Sequence, residues 1–255
     1  MKQIDLNSDM GESFGKYKLG NDEAVMKYIS SANIACGFHA GDPHVLKYTI
    51  QMAKETNTAV GAHPGLPDLL GFGRRAMDVS PDELYDYCVY QIGAVQAFCA
   101  ALGVPFQHVK CHGILEVMTT QKPALAEAVA AAVKDVDPNL LYMTIAGTCL
   151  YQTCKAAGLR VVGEAYGDRA YNEDGTLVSR KLPGSVIHDA ETVVQRITQF
   201  LETGNMPTYT GGAVKIDAQS ICMHGDTPGA AQMIKTLRER LDTLGVRVVP
   251  AGKLV

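Results

Sequence analysis

The chain lacks the long apolar segments of membrane proteins and the basic blocks of nucleic-acid-binding proteins. Within its 255 residues, no apolar run approaches the ~20 residues that a helix needs to span a bilayer. The formal net charge is -4, and the charged residues are spread along the chain. We therefore expect no membrane partner and no nucleic-acid partner, and a site for a small molecule explains the composition better.

Signatures of secreted proteins and of nucleotide-binding folds are also missing. The seven cysteines are odd in number and show no Cys-x-x-Cys spacing, and the first residues contain no apolar signal segment. We expect a cytoplasmic protein with reduced thiols. No Gly-x-Gly-x-x-Gly follows the first predicted strand and no Gly-Lys-Ser/Thr loop occurs, so both common nucleotide-binding folds lack their marker.

What is present is the composition of an ordinary globular protein. Apolar residues make up 47% and charged residues 20% of the chain, which is ample for a sizeable core. No repeat, linker or low-complexity segment interrupts it. Because α/β barrels commonly run to ~200 to 250 residues, we expect a single domain over residues 1–255.

Strand and helix patterns alternate along the chain. Predicted strands cover residues 3–9, 33–39, 58–63, 107–112, 140–146, 159–164, 219–224 and 246–250. Predicted helices cover residues 21–30, 43–55, 80–102, 123–134, 149–157, 190–203 and 229–244. Short apolar strands that alternate with helices predict a parallel sheet with right-handed crossovers. The sequence therefore predicts an α/β fold, a (βα) barrel, with a doubly wound open sheet as the alternative.

Polar residues collect at the ends of the predicted strands. Four strands end in a histidine, and these are His39, His63, His112 and His224. The first strand carries Asp5, Asn7 and Asp9 on one face, and Glu12 follows in the next loop. Because barrel active sites lie at the carboxyl ends of the strands, and because buried charges are costly unless paired or bound, we interpret this cluster as a site.

The residue types leave the chemistry of this cluster open. Imidazoles and carboxylates could act as general acid and base, or they could bind zinc or another divalent ion. The candidate metal ligands are Asp5, His39, His63 and His112. Lys110 shares a strand face with His112 and could be a cation inside the barrel, whereas Cys111 is predicted to point towards the helices.

Long motifs give the chain a resemblance to the LamB/YcsF family over nearly its whole length. They are Asp-Leu-Asn-Ser-Asp-Met-Gly-Glu at 5–12, Asn-Ile-Ala-Cys-Gly-Phe-His-Ala-Gly-Asp-Pro at 33–43, Gly-Ala-His-Pro-Gly-Leu-Pro-Asp at 61–68, Gly-Phe-Gly-Arg-Arg at 71–75, Asp-Arg-Ala-Tyr at 168–171 and Cys-Met-His-Gly-Asp-Thr-Pro at 222–228. The resemblance implies a distorted seven-stranded barrel of the glycoside hydrolase/deacetylase type. It also implies a component of an ATP-dependent 5-oxoprolinase, which opens the lactam of 5-oxo-L-proline to L-glutamate together with subunits B and C.

Because ATP can phosphorylate the oxygen of the lactam before water attacks, lactam opening requires cations near the phosphate, an acceptor for the proton of water and an anchor for the substrate carboxylate. The predicted catalytic residues are Asp9, Glu12, His39, His63, Lys110, His112 and His224. The predicted substrate-binding residues are Asn7, Asp42, Arg74, Glu164, Asp168 and Arg169. ATP is the expected co-substrate, with Mg²⁺, and whether ATP binds here or on a partner is left open because no ATP-binding loop is recognisable.

One motif departs from the family. Its usual Val-Lys-Pro-His-Gly-Ala-Leu-Tyr-Asn is replaced at 109–117 by Val-Lys-Cys-His-Gly-Ile-Leu-Glu-Val, which places Glu116 where a phenol would stand. We expect this change to affect which substrate is bound, and to leave the class of reaction the same. The alternatives are a metal-dependent amidohydrolase or deacetylase that acts on another lactam or amide, and a non-catalytic substrate-binding subunit. The sequence leaves formation of a homo-oligomer open.

Overall fold

Seven parallel strands close into a barrel in the computed structural model, which describes residues 2–225 and 229–255. These strands are β1 (Gln3–Met10), β2 (Ser31–Ala35), β3 (Ala59–His63), β4 (Phe106–Val109), β5 (Leu141–Ile145), β6 (Arg160–Tyr166) and β9 (Ser220–Cys222). Their order follows the chain, and β9 pairs with both β6 and β1. The closed ring confirms the predicted barrel and excludes the open sheet.

Three further strands lie outside the ring. β7 (Asn205–Pro207) and β8 (Ala213–Lys215) form an antiparallel hairpin, and β10 (Arg247–Val248) pairs with the start of β1. The sequence predicted the last strand but not the hairpin, because strands of three residues are too short to show a pattern.

Helices pack around the barrel and follow its strands. They are α1 (Asp22–Val25), α2 (Pro43–Thr56), α3 (Pro81–Leu102), α4 (Gly113–Gln121), α5 (Pro123–Val136), α6 (Cys149–Ala156), α7 (Ala190–Thr203) and α8 (Ala230–Thr243). None of the helices in the described ranges is both long and apolar enough to cross a bilayer.

Alternation in β1 decides what faces the barrel interior. Ile4 and Leu6 are buried in the main apolar core, which lies between the strands and the helices. Asp5 and Asn7 alternate with them and contact polar groups of other barrel strands, namely Ser220 and Glu164. The polar face predicted for this strand is therefore the one that points into the barrel.

Some predicted boundaries are wrong for local reasons. The helix predicted over 21–30 covers only Asp22–Val25. It ends early because the chain has to join the sheet by residue 30, where the backbone amide of Ser30, just before β2, donates to the carbonyl of Leu6. The strand predicted over 33–39 ends at Ala35, since Gly37 (φ 96°) and Gly41 (φ 80°) turn the chain. Helix α4 was not predicted.

Candidate active site

A cavity of about 910 Å³ opens at the carboxyl ends of the barrel strands. Its lining includes Asp9 near the end of β1, His63 at the end of β3 and Lys110 after β4. His224, from the segment after β9, also lines the cavity, and it offers a donor atom within 4.8 Å of donor atoms of Asp9 and Cys222. The cavity thus combines polar residues that are far apart in the sequence, as expected for the active-site end of a barrel.

Lys110 is a buried cation at the centre of this end of the barrel. Its Nζ lies 2.9 Å from Oε1 of Glu164 and 3.2 Å from Oδ1 of Asp9. Nζ also lies 3.3 Å from Oδ1 of Asn7 and 3.1 Å from Sγ of Cys222. Burial alone would lower the pKa of Lys110, but the negative charges, Asp9 first, outweigh it and hold the pKa well above its usual value. Lys110 therefore stays charged.

Asp9 is the matching anion. Burial alone would raise its pKa, but the charges of His63 and Lys110 outweigh that effect and hold the pKa well below the usual value. The amide of Asn33 donates to Oδ1 at 2.9 Å, and Nε2 of His63 lies 3.3 Å from Oδ2. Asp9 therefore remains a carboxylate that orients Lys110 and His63.

Beside Asp9 lies a group that we call the imidazole cluster, made up of Glu12, His39, His63 and His112. Each member offers one donor atom, and these atoms all lie within 4.8 Å of one another. Nε2 of His63 and Nδ1 of His112 are 3.1 Å apart. Oε1 of Glu12 lies 3.8 Å from Nδ1 of His112 and 3.9 Å from Nε2 of His39. The four side chains come from segments that follow four different strands or end them, and they could hold one metal ion.

Two backbone carbonyls decide the tautomers of this cluster. Nδ1 of His63 lies 2.7 Å from the carbonyl oxygen of Lys110, and Nε2 of His112 lies 2.8 Å from that of Phe72. Because a carbonyl oxygen only accepts, both of these nitrogens carry a hydrogen. The remaining nitrogens, which face each other, are bare when both rings are neutral. Nε2 of His63 and Nδ1 of His112 can therefore interact favourably only through a shared proton or a bound metal ion.

His39 is the least satisfied member of the cluster. Its ring stacks on that of His112 with centroids 3.7 Å apart, and its nitrogens have no hydrogen-bond partner within the described part of the chain. Burial lowers the pKa of His39 well below the usual value, and burial lowers that of His112 to about 3. Both rings are therefore neutral at physiological pH and available as ligands or hydrogen-bond partners.

His224, near Asp9 and Cys222, is oriented by Asp168. Nδ1 of His224 lies 2.9 Å from Oδ2 of Asp168, and its backbone amide donates to the same oxygen. Nη2 of Arg180 donates to Nε2 of His224 at 2.9 Å. The pair resembles a general acid–base unit in which a carboxylate fixes the imidazole. Asp226, Thr227 and Pro228 of the neighbouring motif lie outside the described residues.

Two predicted substrate-binding residues lie beneath the cavity rather than in its wall. Asn7 and Glu164 are fully buried, and the amide of Asn7 donates to Oε1 of Glu164 at 2.8 Å. Oε1 of Glu164 and Oδ1 of Asn7 both contact Nζ of Lys110, so these two residues position the cation.

The structure does not bring Asp42 to the cavity. Its carboxylate accepts the backbone amides of His44 and Val45 at the start of α2 and that of Gly15 at 2.8 Å. A side chain with these three partners caps a helix and fixes a loop. The predicted substrate-binding role of Asp42 is therefore replaced by a capping role.

Asp5 lies four residues before Asp9 on β1, away from the imidazole cluster, where Glu12 takes the place that was predicted for Asp5. The carboxylate of Asp5 accepts the hydroxyls of Ser30, Ser31 and Ser220. Burial raises the pKa of Asp5 to about 6. Asp5 is therefore not among the grouped candidate ligands.

Two predicted arginines do reach the cavity wall. The guanidinium of Arg74 lies 4.9 Å from the centre of the Phe72 ring. Arg169 donates to the carbonyls of Ser185 (3.2 Å) and Val178 (2.6 Å), which makes it partly a support of its own loop. Arg75 is bound to Asp68.

Sequence reasoning missed several residues of the site. The carbonyl of Phe72 and the guanidinium of Arg180 belong to long loops, where no pattern predicts direction. Cys222 was not among the predicted site residues, yet its thiol contacts Lys110. Glu116 was noted only as a departure from the motif, although it lines the cavity. The signal that could have included it is a carboxyl placed four residues after His112, in a segment that follows a strand end.

The sequence and the fold have clear counterparts among known proteins. The model of the LamB/YcsF family matches residues 4–255. The chain is 49% identical over 252 residues to the A subunit of 5-oxoprolinase from Natranaerobius thermophilus, with 99% of this chain and 98% of the relative covered. The lactam utilization protein of Thermus thermophilus superposes with a TM-score of 0.92 at 43% identity, covering 97% of this chain and 99% of that one.

A family 4 carbohydrate esterase from Streptomyces lividans, solved in complex with acetate, is a more distant counterpart. It covers 97% of this chain and 91% of its own at 11% identity and a TM-score of 0.50, so the likeness concerns the fold alone. The match to the family model, together with the full-length identity to its relatives, establishes that this chain belongs to the LamB/YcsF family.

Proposed function

We propose that this protein is one component of a 5-oxoprolinase and opens the lactam of 5-oxo-L-proline to give L-glutamate. The observation that carries the proposal is Lys110, a permanently charged lysine buried between Asp9 and Glu164 at the cavity floor. A buried cation of this kind is suited to oppose negative charge that develops on a carbonyl oxygen. The name of the 49% identical relative supports the choice of substrate.

Glu12 is the proposed acceptor for the proton of the attacking water. It lines the cavity, and its Oε1 lies within 3.9 Å of the imidazoles of His39 and His112 in the imidazole cluster, so its carboxylate is placed to accept a proton there. Asp9 is too stabilised as an anion to be a good base, and we assign it the positioning of Lys110 and His63. His224, held by Asp168, is the proposed second proton-transfer group.

The substrate carboxylate is proposed to bind at the arginine side of the cavity. Arg74 and Arg169 line it, and a guanidinium can bind a carboxylate or phosphate through two parallel hydrogen bonds. In this orientation the substrate carboxylate points towards the rim of the cavity and the lactam carbonyl points towards Lys110.

ATP and the partner subunits B and C belong to this proposal as well. An amide carbonyl is a poor electrophile, and phosphorylation of its oxygen by ATP, with Mg²⁺, would make water attack feasible. The relative is named as one lettered subunit of its enzyme, which supports the existence of further subunits. We propose that ATP is bound by the partners, since the sequence contains neither common nucleotide-binding loop.

The decisive experiment measures glutamate release from 5-oxo-L-proline and ATP. It compares this protein alone, this protein with subunits B and C, and the partners alone. Release that requires all three components is the expected result. Glutamate release by the partners alone would show that this chain takes no part in catalysis. Binding of 5-oxo-L-proline without turnover in any combination would identify this chain as a substrate-binding subunit.

A second candidate function is favoured by the imidazole cluster. Its donor atoms are 3.1 to 3.9 Å apart in the measured pairs, and three imidazoles with one carboxylate suit zinc or a similar divalent ion. The nitrogens of His39, which have no hydrogen-bond partner among the described residues, fit the same ion. Such an ion would polarise a carbonyl oxygen or acidify a water. A metal-dependent amidohydrolase would then turn over an amide without ATP or partners, which separates it from the main proposal.

A further inference from the structure

Glu116 is a buried carboxyl in the cavity wall that the proposed mechanism does not use. It lies on α4 and is only 5% exposed. The hydroxyl of Thr144 and the more distant backbone amide of Ile145 (3.4 Å) both donate to Oε1. Oε2 has no hydrogen-bond partner among the residues that the structure describes. One oxygen of the carboxyl is thus held by the strand β5 while the other is left unsatisfied.

An unsatisfied buried polar atom is costly, and in a binding cavity the ligand commonly supplies its partner. Three apolar residues that also line the cavity lie next to Glu116 along the chain or contact it, namely Ile114, Val117 and Ile145. Water offers poor compensation there. The form of the carboxyl that suits such surroundings is the neutral acid, whose hydroxyl must donate to something.

The charges around Glu116 point to the same form. Burial, with the charge of Glu164, raises the pKa of Glu116 to about 7, against the opposing effects of Thr144 and Lys110. The other titratable groups that face it are Cys111, Tyr142, Cys154 and Tyr166. Burial raises the pKa of each of these four, so they stay uncharged between about pH 6 and about pH 9.

We propose that Glu116 determines substrate specificity by donating a hydrogen bond from Oε2 to an oxygen of the bound lactam substrate. The oxygen is that of the lactam carbonyl or of the carboxylate, and both are acceptors. Glu116 thereby selects ligands that place an acceptor against this part of the cavity wall. The inference rests on the proposed function, which it deepens by adding a residue to the binding of the lactam.

The test is calorimetric titration of 5-oxo-L-proline into the wild-type chain and into the variants Glu116→Gln and Glu116→Ala. Glu116→Gln keeps an N–H donor that does not titrate, so its affinity stays constant from about pH 6 to about pH 9. The wild-type affinity falls as pH rises past about 7, because ionisation removes the donated hydrogen. Glu116→Ala weakens binding about tenfold at about pH 6, the equivalent of one hydrogen bond of about 1.4 kcal/mol.

The matched control is Glu127→Gln, which changes an exposed carboxyl on α5 and should leave affinity and its pH profile unchanged. The same titrations with 2-pyrrolidone, which has no carboxylate, tell the two oxygens apart. An Ala variant that loses affinity for both ligands assigns the bond to the lactam carbonyl, and a loss confined to 5-oxo-L-proline assigns it to the carboxylate.

Identical pH profiles for wild type and Glu116→Gln, or unchanged affinity in Glu116→Ala, would overturn the inference. Glutamate release by the complex, measured in parallel, tests the proposed function separately. Normal glutamate release, combined with unchanged affinity in the variants, would exclude only the role of Glu116. Absence of glutamate release, combined with the expected effects on affinity, would exclude the catalytic proposal and leave the binding role of Glu116 in place.

Discussion

At the residue scale, the barrel interior holds more charge than a core normally tolerates, and each charge is compensated by a specific partner. Lys110 is balanced by Asp9 and Glu164, while the carboxylate of Asp5 is solvated by three serine hydroxyls instead of a cation. Buried ions that are paired in this way are expensive to disturb, because removal of one partner leaves the other uncompensated.

Asp5→Asn tests how burial acts on a single carboxyl. The pKa of Asp5 is raised to about 6, so the folded protein binds a proton that the unfolded chain has released between about pH 4 and about pH 6. Stability from this group is therefore lost as pH rises through that window. Urea unfolding should show the wild-type free energy of unfolding falling, relative to that of Asp5→Asn, by up to about 3 kcal/mol between these pH values. A constant difference between the two proteins would contradict the raised pKa.

Asp168→Asn tests the orientation of His224. The carboxylate accepts from Nδ1 of His224, and the loss of its charge weakens the imidazole as a proton-transfer group. We expect kcat for glutamate release to fall by roughly 10²-fold, the contribution typical of a general acid or base, with little change in melting temperature. Asp217→Asn, at an exposed position, is the control. Wild-type kcat in Asp168→Asn would exclude the pair from catalysis.

At the scale of elements, helix starts and glycine turns hold the strand ends in place. α3 begins with a capping box in which Ser80 and Glu83 bond to each other's backbone amides. The loop after β2, which carries His39, depends on Gly41 with φ 80°. The capping box fixes the start of α3, and the turn at Gly41 shapes the loop that presents His39 to the site.

The pair Gly41→Ala and Gly93→Ala separates a required glycine from a dispensable one. A Cβ at Gly41 would lie 2.9 Å from the carbonyl oxygen of Gly11 on a left-handed backbone, whereas a Cβ at Gly93, inside α3, meets nothing within 4 Å. We expect Gly41→Ala to lose about 1 to 3 kcal/mol of unfolding free energy, and Gly93→Ala to gain about 0.5 to 1 kcal/mol. Chemical denaturation measures both, and equal effects would show that neither environment matters.

At the scale of the whole molecule, closure of the barrel brings together side chains from β1, β3, β4 and β9 that no local segment could assemble. The imidazole cluster exists only in the folded chain, because its members are separated by up to about 100 residues. A ligand of this cluster therefore binds the folded state alone and must stabilise it.

Zinc or cobalt(II) ions should accordingly raise the melting temperature of the protein. At 100 times the dissociation constant, the gain is about 2.7 kcal/mol of unfolding free energy. The shift should be reversed by a chelator and lost in His39→Asn, but kept in His44→Asn, which changes an exposed residue of α2. A cobalt(II) absorption spectrum of the wild type provides the independent measurement. An equal shift in both variants would place the ion elsewhere.

The repeating pattern of strand, polar end and helix could be predicted from the sequence, since it depends on periods of two and 3.6 residues. Most predicted elements, including α7 at Ala190–Thr203, appear where the pattern placed them. The hairpin of β7 and β8 was missed because such short strands carry no period. Asp42 was misplaced because a carboxylate after a strand has the same sequence signature whether it binds a ligand or caps a helix.

The sequence by itself determined the alternation of strands and helices, and with it a parallel sheet with polar residues at the strand ends, because periods along the chain fix the type of each element and the side chains that share a face. Closure of that sheet into a barrel rather than an open sheet was shown by the structure. The tertiary structure alone decided the partners of these polar residues. It placed the Phe72 carbonyl on His112, Asp168 on His224 and Glu116 beside the cavity with one oxygen unsatisfied. The physical reason is that a period along the chain sets direction only, whereas hydrogen bonds and desolvation depend on atoms brought within about 3 Å by closure of the whole ring.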